Sequence, residues 1–190
     1  MFNKGFTLIE NEHSKSGGRN GGFTLIEMLV AVSIFTLLVG AGSGVFISVL
    51  KSQRYTLAMQ EVLDQSSYLM EYMSRTARMA QKDLTGVCTG SAKTNYGSAG
   101  QCLKFLNYKG ECQQFCLDGG RIKEIKSGNQ NYLTSSNLQA LVFSIVLTGE
   151  EQYPDDRQPR VSLFLKIEGR EGAKIELQTT ISQRNPDVRK

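Results

Sequence analysis

From Gly21 to Leu50 the chain reads GGFTLIEMLVAVSIFTLLVGAGSGVFISVL, and between Met28 and Leu50 it holds no charged residue and no proline. A helix rising about 1.5 Å per residue needs roughly 20 apolar residues to cross about 30 Å of hydrocarbon, so this run predicts one membrane-spanning helix. A single carboxylate, Glu27, stands at its N-terminal end. Left unpaired near apolar depth it would cost roughly 2.5–3.5 kcal/mol. Such a group requires a partner.

The residues Gly22-Phe-Thr-Leu-Ile-Glu27, abutting an apolar helix, resemble the prepilin signal of the type IV filament superfamily, which includes type IV pilins and the pseudopilins of type II secretion. The resemblance implies a pilin-like fold, cleavage between Gly22 and Phe23 by an inner-membrane prepilin peptidase, and N-methylation of Phe23. It also implies an inner-membrane assembly platform and other pilin or pseudopilin subunits as partners, with membrane lipid as the surroundings before assembly. For Glu27 it implies pairing with the N-terminal amine of a neighbouring subunit, a buried charge made tolerable by its partner and therefore able to set register. Two other readings of Glu27 stay open: a carboxylate that snorkels to the headgroups, and one that binds its own chain's amine.

Residues 1–22 then form a leader outside the fold. GFTLIE occurs twice, at Gly5–Glu10 and Gly22–Glu27, but the first copy is followed by the polar NEHSKSGGRNGG. The first copy therefore reads as a partial duplication or start-site artefact. His13, the only histidine, lies in this segment, which argues against a catalytic or metal role. The formal charge is +4, and removing Lys4, Lys15, Arg19, Glu10 and Glu12 with the leader leaves +3. That bias is mild and spread out, so nucleic acid is not predicted as a partner. Lys4, Lys15 and Arg19 favour a cytoplasmic leader, whereas Lys51 and Arg54 at the other end weaken the contrast. The resemblance decides for a single pass through the bacterial inner membrane, with the leader in the cytoplasm and the remainder outside.

At 190 residues and 40% apolar content the chain has material for residues 23–50 as a spanning helix and one modest further domain. Gly40 and Gly44 form a small-xxx-small pair suited to close helix approach, and the glycines there also loosen the helix. Residues 51–83 read as an amphipathic continuation: Tyr55, Met59, Val62, Leu63, Leu69, Met70, Met73, Ala77 and Ala80 recur at steps of three, four or seven. LDQSSYLMEYMSRTARMAQ in this stretch resembles the helix-to-head junction of minor pilins and pseudopilins. Arg75 and Arg78 read as a solvated face.

Residues 84–101 are rich in glycine, serine and threonine and read as a loop. Strand signals follow at Cys102–Tyr108, Cys112–Asp118, Arg121–Lys126, Leu141–Leu147, Val161–Glu168 and Lys174–Ser182. Hairpin turns are expected at Tyr108-Lys109-Gly110, Gly119-Gly120 and Gly169–Gly172. The fold class is α+β: a long N-terminal helix on one antiparallel β-sheet, with residues 84–183 as the globular part and 184–190 as a polar tail.

All four cysteines, Cys88, Cys102, Cys112 and Cys116, fall in the extracytoplasmic part, where disulfides persist. They allow three pairings. A three-residue loop at Tyr108–Gly110 would set Asn107 against Glu111 and Cys102 against Cys116, leaving Cys88 for Cys112. The rival pairs Cys88 with Cys102 and Cys112 with Cys116. Zinc is disfavoured by the absent CxxC spacing. Glu150, Glu151, Asp155 and Asp156 lack EF-hand spacing and read as a solvated loop rather than a calcium site. No nucleophile with its base, phosphate loop or cofactor motif is present. The chain reads as a non-enzymatic filament subunit, a minor pilin or minor pseudopilin. The alternative is a single-pass membrane-anchored protein that binds a ligand or partner without polymerising.

Overall fold

The structure is a computed structural model and describes residues 21–150 and 157–184. The first GFTLIE copy, His13, Glu151, Asp155, Asp156 and residues 185–190 lie outside the described residues. The architecture is α+β, with one helix, α1 (Leu25–Arg78), followed by β-strands in antiparallel sheets. The chain divides into two compact units, Met1–Ile47 and Ser48–Lys190.

In the first unit α1 is apolar and its side chains are exposed throughout. By length and composition the helix can cross a membrane. Its hydroxyls bond back to the helix: Ser33 Oγ to the Leu29 carbonyl at 2.8 Å, Thr36 Oγ1 to that of Ser33 at 2.9 Å and Ser43 Oγ to that of Val39 at 2.7 Å. Those polar groups are thus satisfied without water, as lipid demands. The expected loosening at Gly40–Gly44 does not interrupt the helix.

In the second unit α1 buries Ala58, Val62, Ser66, Leu69, Met73 and Ala77, a stripe at steps of three and four. Tyr55 and Leu63, expected on that face, are 45% and 41% exposed. Ala58 and Ser66 take part instead. Small side chains let a second layer approach the helix closely.

That layer is two sheets, where the strand pattern predicts one. Strands β1 (Tyr96–Ala99), β2 (Cys102–Leu106), β3 (Cys112–Asp118), β4 (Arg121–Lys126) and β5 (Asn129–Tyr132) form the first sheet in chain order. The second is β6 (Gln139–Thr148), β7 (Arg160–Glu168) and β8 (Lys174–Ser182). β1 arises inside the expected loop, and β5 is four exposed residues, Asn-Gln-Asn-Tyr, with no apolar alternation to announce it. Both sheets bury one face on α1: Leu103, Phe105, Phe115 and Ile122 from the first, Phe143, Val161, Leu163, Leu165, Ile167 and Ile181 from the second.

Two turns fix how the sheets reach the helix. Gly119 and Gly120 (φ 56° and 76°) join β3 to β4 across the pair Asp118 and Arg121, the left-handed geometry a two-residue hairpin needs. Gly169 sits so close to α1 that an added Cβ would lie 2.4 Å from Val62 Cγ2.

The helix stops at Arg78, short of the expected Asp83, because tertiary donors take its last carbonyls. The Tyr96 hydroxyl donates to Ala77 O at 2.7 Å and Arg184 N–H to Arg78 O at 2.8 Å. Gln183 Nε2 donates to Ala80 O at 2.7 Å. Arg184, expected in a polar tail, is therefore tied by its backbone to the helix end. Beyond it Gln81 and Asp83 bridge to Leu106 and Thr94.

Asp83 is buried, and its carboxylate accepts the N–H groups of Thr85, Gly86, Cys88 and Thr89 at 2.8–3.1 Å and the hydroxyls of Thr85 and Thr89. Burial pushes its pKa up, but the N–H donors of Thr89, Cys88 and Gly86 and the Thr85 hydroxyl outweigh it and hold the carboxyl well below the usual range.

The cysteines are bridged as Cys102–Cys116 and Cys88–Cys112, with Cα atoms 4.1 and 5.4 Å apart. Leu117 N–H bonds Gln101 O and Asn107 N–H bonds Glu111 O. Cys102 and Cys116 therefore face each other at a non-hydrogen-bonded position, where antiparallel strands lie closest. The other bridge ties the helix-to-sheet connection to the start of β3.

Replacing Asp83 with Ala strands several buried N–H groups and should lower stability by roughly 2–4 kcal/mol in urea unfolding of the detergent-solubilised chain. Because the folded-state pKa lies below the unfolded one, this contribution is complete above about pH 4 and fades as pH falls below it. The variant should therefore show a shallower loss of stability in acid. Gly169→Ala should cost roughly 1–3 kcal/mol by overpacking, and Val62→Ala in the same chain should return part of it.

Candidate processing and assembly site

Residues 21–24 precede the helix without regular structure, and Phe23 is 81% exposed. The bond between Gly22 and Phe23, the expected cleavage position, thus lies on non-helical chain two residues before α1. Thr24 is the cap. Its Oγ1 accepts the N–H of Glu27 at 3.3 Å, while Glu27 Oε2 accepts the N–H of Thr24 at 3.3 Å and its hydroxyl at 3.3 Å. This reciprocal capping box was written in the sequence as Thr-x-x-Glu before an apolar run, but Glu27 alone was singled out there.

The box bears directly on the readings of Glu27. Its carboxylate bonds its own chain, through the amide one residue after the predicted new N-terminus. Only Oε2 is engaged, and among the described residues Oε1 accepts no hydrogen bond. The oxygen is free to take an amine, while the helix N-terminus holds the charge in place.

Residues 18–43 match the prokaryotic N-terminal methylation motif. The match supports a type IV pilin-like family and implies processing by prepilin peptidase and assembly with other pilin subunits. The matched stretch contains the expected cleavage position, the Thr24–Glu27 box and the first part of the apolar helix, and it ends one residue before Gly44. No curated protein and no solved structure matches the chain significantly.

Downstream of the motif's start, Gly40, Gly42 and Gly44 leave open space: a Cβ on any of them meets nothing within 4 Å. Packing among the described residues therefore gives no reason for these glycines. The other candidates separate from the motif. The four cysteines are paired and none is free. Glu150, expected in a solvated loop, instead accepts the N–H groups of Asn95 and Tyr96 at 2.8 and 3.2 Å, closing the edge of β1. Among the described residues no group of three His, Cys, Asp or Glu side chains is placed to hold a metal. Arg75 pairs with Glu71 on an exposed helix face.

Sequence reasoning also passed over Glu124, buried on β4. It accepts the Tyr72 hydroxyl at 2.8 Å and the Gln113 amide, joining helix to sheet. Burial and this bond push the Tyr72 hydroxyl up to about 12, so it remains a donor across the physiological range. Tyr72 also packs edge-on to Phe115 with centroids 6.0 Å apart.

Thr24→Val should remove the cap, at about 1 kcal/mol, and Thr24→Ser should keep it. Amide exchange at residues 25–28 of the chain in nanodiscs checks this: several-fold faster in the valine variant, unchanged in the serine variant.

Proposed function

We propose that the chain is a non-enzymatic structural subunit, a minor pilin or minor pseudopilin, of a type IV pilus or type II secretion-type filament. Prepilin peptidase cleaves between Gly22 and Phe23 and methylates Phe23. Until assembly the subunit is stored in the inner membrane, leader in the cytoplasm and sheets outside. The assembly platform then transfers its apolar helix from lipid into a filament core, where Glu27 meets the amine of the neighbouring subunit and Gly40 and Gly44 admit a second helix.

The observation that carries this reading is the methylation motif set on a helix whose apolar side chains, such as Leu25, Leu37 and Val45, stay 79%, 74% and 66% exposed among the described residues. Apolar surface of that extent needs lipid or other helices. A carboxylate with one free oxygen at the top of it supplies the register.

Mass spectrometry of the mature protein should find methylated Phe23 at the N-terminus. An intact leader would instead favour the non-polymerising membrane-anchored protein. Glu27→Leu should leave cleavage intact and reduce recovery in sheared filaments at least about ten-fold, the effect of losing roughly 1.4 kcal/mol or more of docking energy. Unchanged recovery would remove Glu27 from the mechanism.

A further inference from the structure

We propose that Thr24 is a positioning residue for processing: its cap starts α1 at Leu25 and so keeps the Gly22 carbonyl, the group a peptidase attacks to cut before Phe23, out of the helix hydrogen-bond ladder. The inference rests on the processing reading above and adds what in this chain presents the bond.

Hydrolysis of a peptide bond needs an open carbonyl carbon, and chain held in regular structure is cut after it opens locally. The apolar run supplies no stop of its own at Leu25, because it begins with Phe23. Two residues therefore compete to start the helix. Glycine is about as good an N-cap as threonine, and the carbonyl of the cap residue accepts the first intrahelical bond. With Gly22 as cap, the ladder would begin with the Ile26 N–H on Gly22 O. The carbonyl to be attacked would then be tied into the first turn.

The structure has the other register. The first bond of the ladder runs from Met28 N–H to Thr24 O at 3.2 Å, and among the described residues no hydrogen bond reaches the Gly22 carbonyl. The bonds between Thr24 and Glu27, each 3.3 Å, select this start. A helix begun at Phe23 would lose them, since Thr24 would give up the extended conformation of a cap for a helical one. The bond itself stands clear: a Cβ on Gly22 would meet nothing within 4 Å, and Phe23 is exposed. Of the two halves of the box, the cap proper uses only Thr24 Oγ1 and the backbone N–H of Glu27. Glu27→Leu therefore retains it, in keeping with the intact cleavage expected of that variant.

The test measures cleavage of the full chain in detergent micelles by purified prepilin peptidase, comparing the parent with Thr24→Ser, Thr24→Asn and Thr24→Ala. Serine and asparagine cap at least as well as threonine, whereas alanine caps poorly and is the best helix former. Alanine therefore lets α1 grow back over Phe23, unlike β-branched valine, which loosens the first turn without lengthening it. Because only a fraction of the alanine variant presents an open bond, its KM should rise about five-fold with kcat unchanged. The Cα chemical shifts of residues 23 and 24 should move to helical values in the same variant. Serine and asparagine should match the parent in both measurements. A parental KM for Thr24→Ala, a loss confined to kcat, or a rise in KM without the helical shifts overturns the inference. So does an asparagine variant that fails like alanine, which would mark direct contact between the peptidase and the threonine hydroxyl. A parent chain left uncut between Gly22 and Phe23 would overturn the processing reading itself, a failure distinct from any difference among the variants.

Discussion

The constraint on which the N-terminal unit depends is a carboxylate at the head of a helix whose apolar side chains stay exposed among the described residues. Its own cap returns about 1 kcal/mol, and the helix N-terminus adds roughly 0.3–1 kcal/mol for a favourably placed anion. Burial near apolar depth costs roughly 2.5–3.5 kcal/mol. Local interactions therefore offset roughly 40–80% of the cost and leave a deficit of roughly 0.5–2 kcal/mol. A cationic partner closes that gap, and the free Oε1 is where one fits. The capping box and the proposed intersubunit role for Glu27 are thus complementary: the first fixes where the charge sits, and the second would supply what the first leaves unmet.

In the second unit the controlling constraint is steric. Two sheets share one helix face, and the stripe they share is built from Ala58, Val62, Ser66, Leu69, Met73 and Ala77, narrow enough for both to reach it. Gly169 carries the same logic to the β7–β8 turn. A helix face this lean limits how much apolar area each sheet gains, and the first sheet compensates with covalent and polar ties. Cys102–Cys116 fixes the β2–β3 register and Cys88–Cys112 fixes the connection from the helix; bridges of this kind typically contribute about 2–4 kcal/mol each.

What was legible in the sequence follows from the range of the interaction responsible. The long apolar helix and the period-two strands β7 and β8 come from local pattern, which the sequence carries openly; the Cys102 to Cys116 register follows from one turn, which the sequence offered beside a rival pairing. The split into two sheets does not, because β5 is a polar edge strand whose only reason to be extended is its pairing with β4. Nor does the helix end, which is decided by Tyr96 and by Gln183 and Arg184, more than a hundred residues away for the last two. Asp83 entered the sequence reading only as the end of the expected helix; its role depends on a loop wrapping back over it. At the candidate site the Thr24–Glu27 box was readable and Glu27 drew notice, but its cap required looking three residues back.

The connection between helix and first sheet is held by two interactions of different chemistry acting on the same few residues. Asp83 gathers the amides of Thr85, Gly86, Cys88 and Thr89, and Cys88, inside that span, is bonded to β3. Each restricts the same segment, so each lowers the entropy that the other would otherwise have to remove, and their contributions cannot be independent. With the bridge intact, protonating Asp83 frees a loop that is still anchored at Cys88. With the bridge reduced, the carboxylate alone must hold the segment against the full freedom of an open chain. The acid sensitivity of this connection is therefore greater in the reduced protein than in the oxidised one, and an oxidising compartment is where the fold tolerates a buried aspartate at its least apolar junction.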